Sequence, residues 1–130
     1  MSKTYNLKSI EELKLILDEW FDEIKKHKII YLIGDLGAGK TTFVKELAKK
    51  IGIKQNITSP SFNYMKTYDG LVHIDLYNYK GDIEEFEDYF DDNIIAIEWA
   101  NLHNLTFKNV IVINCQLNSD NTHSYRIEVK

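Results

Sequence analysis

The octapeptide Gly34-Asp35-Leu36-Gly37-Ala38-Gly39-Lys40-Thr41 constrains this chain more than any other feature. It satisfies G-x-x-x-x-G-K-[ST], a pattern that functions only between a strand and a helix. Both neighbours are present. Ile29-Ile30-Tyr31-Leu32-Ile33 is a short, β-branched apolar run with the length and flanks of a buried strand. Residues 40–51 then take a helical period through Phe43, Val44, Leu47, Ala48 and Ile51, with Gly52 as the C-terminal stop. Glycines at these positions let successive backbone N–H groups turn toward a polyphosphate, and the helix N-terminus completes the anion site. Lys40 adds a point charge at the β- and γ-phosphates, and the Thr41 hydroxyl suits Mg²⁺. The segment predicts a nucleoside triphosphate site.

The remaining pattern supplies a sheet around it. Ser9-Ile10-Glu11-Glu12 has capping-box spacing, and Ile10, Leu13, Ile16, Leu17, Trp20, Phe21 and Ile24 predict an amphipathic helix over 10–26. Residues 62–68 and 71–76 flank Asp69-Gly70, a strong hairpin signal. The acidic stretch 82–92 predicts a short helix with a solvated face. Strands are expected at 94–99, 110–115 and 125–129, the last two joined by Asn118-Ser119-Asp120-Asn121. No repeat or linker divides the chain, so a single domain over 1–130 is expected. Its fold class is α/β, a P-loop NTPase-like sheet of mixed parallel and antiparallel strands flanked by a few helices.

Two strands also deliver acids to the edge where open α/β sheets bind ligands. Ile94-Ile95-Ala96-Ile97 ends in Glu98, and Leu71-Val72-His73-Ile74 ends in Asp75. Beside a complete phosphate loop, both are candidates for the metal or for water.

Composition removes other classes. The chain has 130 residues, 44% of them hydrophobic and 28% charged, enough for one globular core. Sixteen basic residues against twenty acidic ones leave a net charge of −4, which disfavours an electrostatic grip on nucleic acid. No apolar run is long enough for a membrane span, and the N-terminus lacks the apolar core of a signal peptide, so no membrane contact and a cytoplasmic location are expected. Cys115 is the only cysteine and the four histidines are scattered in sequence, which argues against a disulfide or zinc site. Tyr64, Tyr68, Tyr77 and Tyr79 read as sheet packing. Arg126 is the sole arginine. A reaction needing an arginine must use it or borrow one.

Four segments together resemble the bacterial TsaE (YjeE) family: GDLGAGKTT at Gly34–Thr42, SPSF at Ser59–Phe62, HIDLY at His73–Tyr77 and Glu98-Trp99. The order and spacing match from about Ser9 to the final strand. The resemblance implies a small ATPase required for making threonylcarbamoyladenosine in tRNAs that read codons beginning with A. It implies ATP and Mg²⁺ as cofactors, with Gly37, Ala38, Gly39, Lys40, Thr41 and Thr42 around the phosphates and Thr41 with Glu98 on the metal. By the same likeness Lys40, Asp75 and Glu98 are catalytic, Asp75 ordering water or the metal's surroundings. Residues 58–62 would sense the γ-phosphate, and Trp99 would buttress Glu98. The adenine end would lie near Ser9, Ile10 and the last hairpin, with His123 close to where relatives place an arginine. Relatives usually read SPT where this chain has Ser59-Pro60-Ser61, and arginine where it has Asn78.

The resemblance also implies partners of the TsaD–TsaB heterodimer type, with tRNA met chiefly through them. The isolated chain is expected to be a monomer. Scarcity of arginine predicts slow turnover, accelerated by a partner. A small phosphotransferase, which would leave a phosphorylated metabolite, and a nucleotide-dependent docking switch that needs no hydrolysis remain as alternative readings.

Overall fold

The computed structural model describes residues 2–60 and 63–130. Seven strands form one sheet: β1 (Ser2–Leu7), β2 (Ile29–Ile33), β3 (Met65–Tyr68), β4 (Leu71–Asp75), β5 (Ile94–Glu98), β6 (Ile111–Leu117) and β7 (His123–Val129). Their spatial order is β1-β7-β6-β2-β5-β4-β3. The central strands β6, β2, β5 and β4 run parallel. The outer pairs β1–β7, β7–β6 and β4–β3 are antiparallel. This is the mixed α/β sheet that the sequence predicts.

Side chains alternate across a strand, so the sheet has two different faces. On one, Ile30, Leu32, Leu71, Ala96, Ile111, Ile113 and Tyr125 pack under α1 (Ile10–His27) and α2 (Lys40–Ile51). On the other, Val72, Ile74, Ile95 and Ile97 are covered by Leu76, Phe86 and Ala100 from the connecting segments. The 82–92 segment is a 3₁₀ helix over Ile83–Tyr89, capped by Asp82, whose Oδ1 accepts from the Glu84 N–H at 3.0 Å. Three residues per turn suit its spacing: Ile83 and Phe86 fall on one side, and Phe86 alone is buried.

Two N-terminal features differ from the sequence reading. Residues 2–7 form an edge strand, held by β7 from Ser2↔Glu128 to Leu7↔His123. Its only buried residue is Leu7, so no alternation marks it beforehand. Ser9 occupies the N-cap of α1 with extended backbone, but its hydroxyl makes no capping bond. Glu12 supplies the cap instead, accepting from the Lys8 N–H at 2.6 Å.

Parallel register brings the C-terminal ends of β2, β5 and β4 to one edge, with Leu32 opposite Glu98 and Glu98 opposite Asp75. The glycine-rich loop leaves β2 at that edge and enters α2.

Candidate functional site

Gly37 and Gly39 have φ of +79° and +110°, the left-handed region that glycine adopts without a Cβ clash. Gly39 is also the N-cap of α2, where Phe43 donates the first helical hydrogen bond to its carbonyl at 3.0 Å. The N–H groups of Lys40, Thr41 and Thr42 precede that bond. They are the open donors every helix start presents, backed by the helix dipole. Two further contacts hold the turn. The Ala38 N–H donates to the Asp35 carbonyl at 3.1 Å, and the buried Tyr125 hydroxyl donates to the Gly39 carbonyl at 2.9 Å. Burial raises the Tyr125 phenol far above its ordinary range, which keeps it a neutral donor.

Lys40 is only 5% exposed, yet its ammonium has no carboxylate partner among the described residues. It donates to the carbonyls of Gly34 and Asp35, at 2.5 and 2.9 Å, and lies 4.1 Å from the centre of the Trp99 ring. A cation over an indole face gains on the order of 0.5–2 kcal/mol. Trp99 itself has φ 59° and ψ 34°, costing on the order of 1–3 kcal/mol for a bulky residue. Its ring packs on Tyr77 at a centroid distance of 5.1 Å. The indole therefore carries Lys40.

Glu98 is 3% exposed at the end of β5. The Thr41 hydroxyl sits between its carboxylate oxygens, 3.1 Å from Oε1 and 3.0 Å from Oε2. On the other side Oε2 meets His73 Nε2 at 2.5 Å, and His73 is fully buried. His73 stands two residues before Asp75, so strand alternation turns both toward α2. The structure makes His73 the buried neighbour of Glu98. Asp75, half-buried, accepts from the Tyr77 N–H at 2.9 Å. Burial pushes its carboxyl above the ordinary range, and the nearby Glu98 adds to the shift, while the Tyr77 N–H opposes it.

These groups surround a hollow of 220 Å³ that also takes in Leu36, Ser59 and His123. Ser59 Oγ lies 3.3 Å from Thr41 Oγ1. Ser61 and Phe62, the end of the segment expected to sense phosphate, lie outside the described residues. A second hollow of 270 Å³ runs on past Gly39, Thr42 and His123 to Ser9, Ile10 and Tyr125. The expected phosphate and base residues thus line one continuous cleft. The sole arginine does not: Arg126 neighbours inward-facing Tyr125 on β7, lies on the opposite face beside Thr4 and Asn114, and pairs with Glu128 at 3.4 Å.

The donor set suits magnesium. A hydroxyl and one carboxylate, Thr41 and Glu98, converge beside the open amides, and Mg²⁺ prefers few protein oxygens plus phosphate and water. Among the described residues no cluster of three or more His, Cys, Asp or Glu offers an all-protein metal cage. No described helix is long and apolar enough to cross a membrane.

Comparison with known proteins bears on the family and the fold. The sequence model of the family described as threonylcarbamoyl adenosine biosynthesis protein TsaE matches residues 7–127. Relatives named tRNA threonylcarbamoyladenosine biosynthesis protein TsaE include those of Rickettsia felis, Bacillus subtilis and Borreliella burgdorferi. The first is 36% identical over 126 residues, 88% of this chain and 73% of the relative. The second is 38% identical over 99 residues, 71% of this chain and 63% of the relative. The third is 44% identical over 86 residues, 58% and 61% of the two. The crystal structure of Bacillus subtilis YdiB superposes with a TM-score of 0.67 at 26% identity, covering 98% of this chain and 84% of that one.

Proposed function

The chain belongs to the TsaE family of tRNA threonylcarbamoyladenosine biosynthesis, and we propose that it serves there as a magnesium-dependent ATPase of slow intrinsic turnover. One observation carries the proposal. The buried Lys40 ammonium, the open amides of α2, and Thr41 lodged between the oxygens of Glu98 converge on one side of a cleft.

In this reading Lys40 leaves the Gly34 and Asp35 carbonyls to meet the β- and γ-phosphates, while the amides of residues 37–42 hold the chain of phosphates in line. Thr41 and Glu98 are the residues that would hold Mg²⁺, which when bound neutralises charge on the phosphate oxygens. His73 fixes the Glu98 carboxylate from behind, so one face of it stays turned to the cleft. Asp75, beside Glu98 at the strand ends, orients the attacking water. Ser9, Ile10, His123 and Tyr125 border the space left for the base.

Slow turnover follows from the placement of charge. Among the described residues Lys40 is the one lysine or arginine lining the phosphate hollow, and Arg126 faces the other way. An arginine supplied at the transition state contributes on the order of 10³–10⁵ in rate in related systems. A partner complex of the TsaD–TsaB type would supply the missing charge or complete the positioning, and tRNA would be met through that complex in the cytoplasm.

The test is phosphate release from ATP and GTP with Mg²⁺, with and without a TsaD–TsaB complex. Expected is slow release alone and a marked rise with the complex, with free phosphate as the product. Fast release indifferent to the complex, or a phosphorylated metabolite, contradicts the proposal.

A further inference from the structure

Glu46 is a buried acid outside the set described above. It lies on the second turn of α2 and is 4% exposed, which carboxylates tolerate only when paired or hydrogen-bonded. Half of it is provided for: Oε2 takes the Lys49 ammonium at 3.0 Å. Lys49 is 67% exposed, so the lysine lies along the surface while the acid points inward. The other oxygen, Oε1, is buried and meets no donor among the described residues. Glu46 lines a hollow of 420 Å³ with Ile10, Thr42, Lys45 and Thr58. A second metal is disfavoured there, because Lys45 and Lys49 line the same space. What fits is a ligand group that brings O–H donors to a waiting acceptor.

Position identifies the group, given the nucleotide reading on which this inference rests. Glu46 follows Thr42 by four residues, so the two share a helix face roughly 5–6 Å apart. Thr42 belongs to the amides that would take the phosphate nearest the sugar. Thr42 and Ile10 line both this hollow and the one running to the β6–β7 hairpin. The sugar of a nucleotide, lying between phosphate and base, sits where the two hollows meet. We propose that Glu46 accepts from the ribose hydroxyls and that this hollow makes the site selective for ribonucleotides over deoxyribonucleotides.

Calorimetric titration of the intact chain with Mg·ATP, its 2′-deoxy, 3′-deoxy and 2′,3′-dideoxy analogues, and inorganic tripolyphosphate tests this. The unmodified protein should bind ATP about ten- to a hundredfold more tightly than the dideoxy analogue, the scale of hydrogen bonds to a charged acceptor. Glu46→Ala should abolish that preference and leave tripolyphosphate affinity unchanged, whereas Glu46→Gln, which keeps an acceptor oxygen, should retain part of it. Equal affinity for ATP and the deoxy analogues in the unmodified protein overturns the ribose assignment while leaving the nucleotide site standing. So does a Glu46→Ala variant that loses ATP and tripolyphosphate affinity in equal measure, because that is a packing defect. Failure of the unmodified protein to bind any of the ligands overturns the nucleotide reading itself.

Discussion

Gly39→Ala, alone and combined with Tyr125→Phe, probes whether the phosphate loop is held as the structure indicates. At φ +110° an alanine is strained by on the order of 1–3 kcal/mol. Its Cβ would also fall 2.4 Å from the Tyr125 hydroxyl oxygen and 3.3 Å from Cζ. Tyr125 is 2% exposed and packed on Phe43, so it has little room to retreat. Overpacking of this kind costs about 1–3 kcal/mol. The single substitution should therefore lower stability by about 2–6 kcal/mol. Tyr125→Phe alone removes the donor to the Gly39 carbonyl, a loss of about 0.5–1.5 kcal/mol. In that background the hydroxyl is gone and the nearest remaining atom is Cζ, which a shift of a few tenths of an ångström accommodates. The double variant should then be about 1–3 kcal/mol more stable than the sum of the two single losses predicts. Urea unfolding of the four proteins measures it. Additivity within about 0.5 kcal/mol would refute the contact between hydroxyl and loop.

Other perturbations read different parts of the site. Trp99 touches Lys40, whereas Trp20 is buried on the inner face of α1, so Mg·ATP should change the emission of Trp99 alone, and Trp99→Phe should abolish the nucleotide-dependent change. A response that survives in Trp99→Phe would detach the indole from the phosphate site. Asp75 provides a stability test. Its folded-state pKa is raised, so the folded state holds the proton more tightly than the unfolded chain. That contribution is present at low pH and is lost as pH rises through the folded pKa. At neutral pH Asp75→Asn should consequently raise the melting temperature of the ligand-free protein while phosphate release falls at least tenfold, as loss of a water-positioning group requires. A lower melting temperature, or unchanged release, would count against the role assigned to Asp75.

Sequence and structure agree where local pattern and tertiary demand coincide. The run Ile29–Ile33, the loop and the Phe43–Ile51 period leave no choice about β2 and α2, and Asp69-Gly70 fixes the β3–β4 turn. Pattern fails where a partner supplies the stability. Residues 2–7 carry one buried side chain and become a strand because β7 offers a free edge. The 3₁₀ form of residues 83–89 depends on one anchor, Phe86, against the sheet. In the site, Lys40, Thr41, Asp75 and Glu98 were legible because motif spacing and strand ends expose them. Their supports were not. The Tyr125 hydroxyl under Gly39, His73 behind Glu98 and Trp99 beneath Lys40 come from elements 25 to 86 residues away for the first two, a pairing set by strand order. Glu46 was hidden for another reason: α2 is one helical period whichever side the acid faces, and only packing shows that it points inward.

The central claim is that Lys40 and the amides at the start of α2 hold a magnesium-bound nucleoside triphosphate. Calorimetric titration of Mg·ATP into the intact protein and into Lys40→Met, with a melting curve to establish that each is folded, addresses it most directly. A saturable heat at one nucleotide per chain, weakened about a hundredfold or more in the variant, is the predicted result. No heat from the folded protein, even with its companion complex present, or equal affinity in the two proteins, would contradict the account.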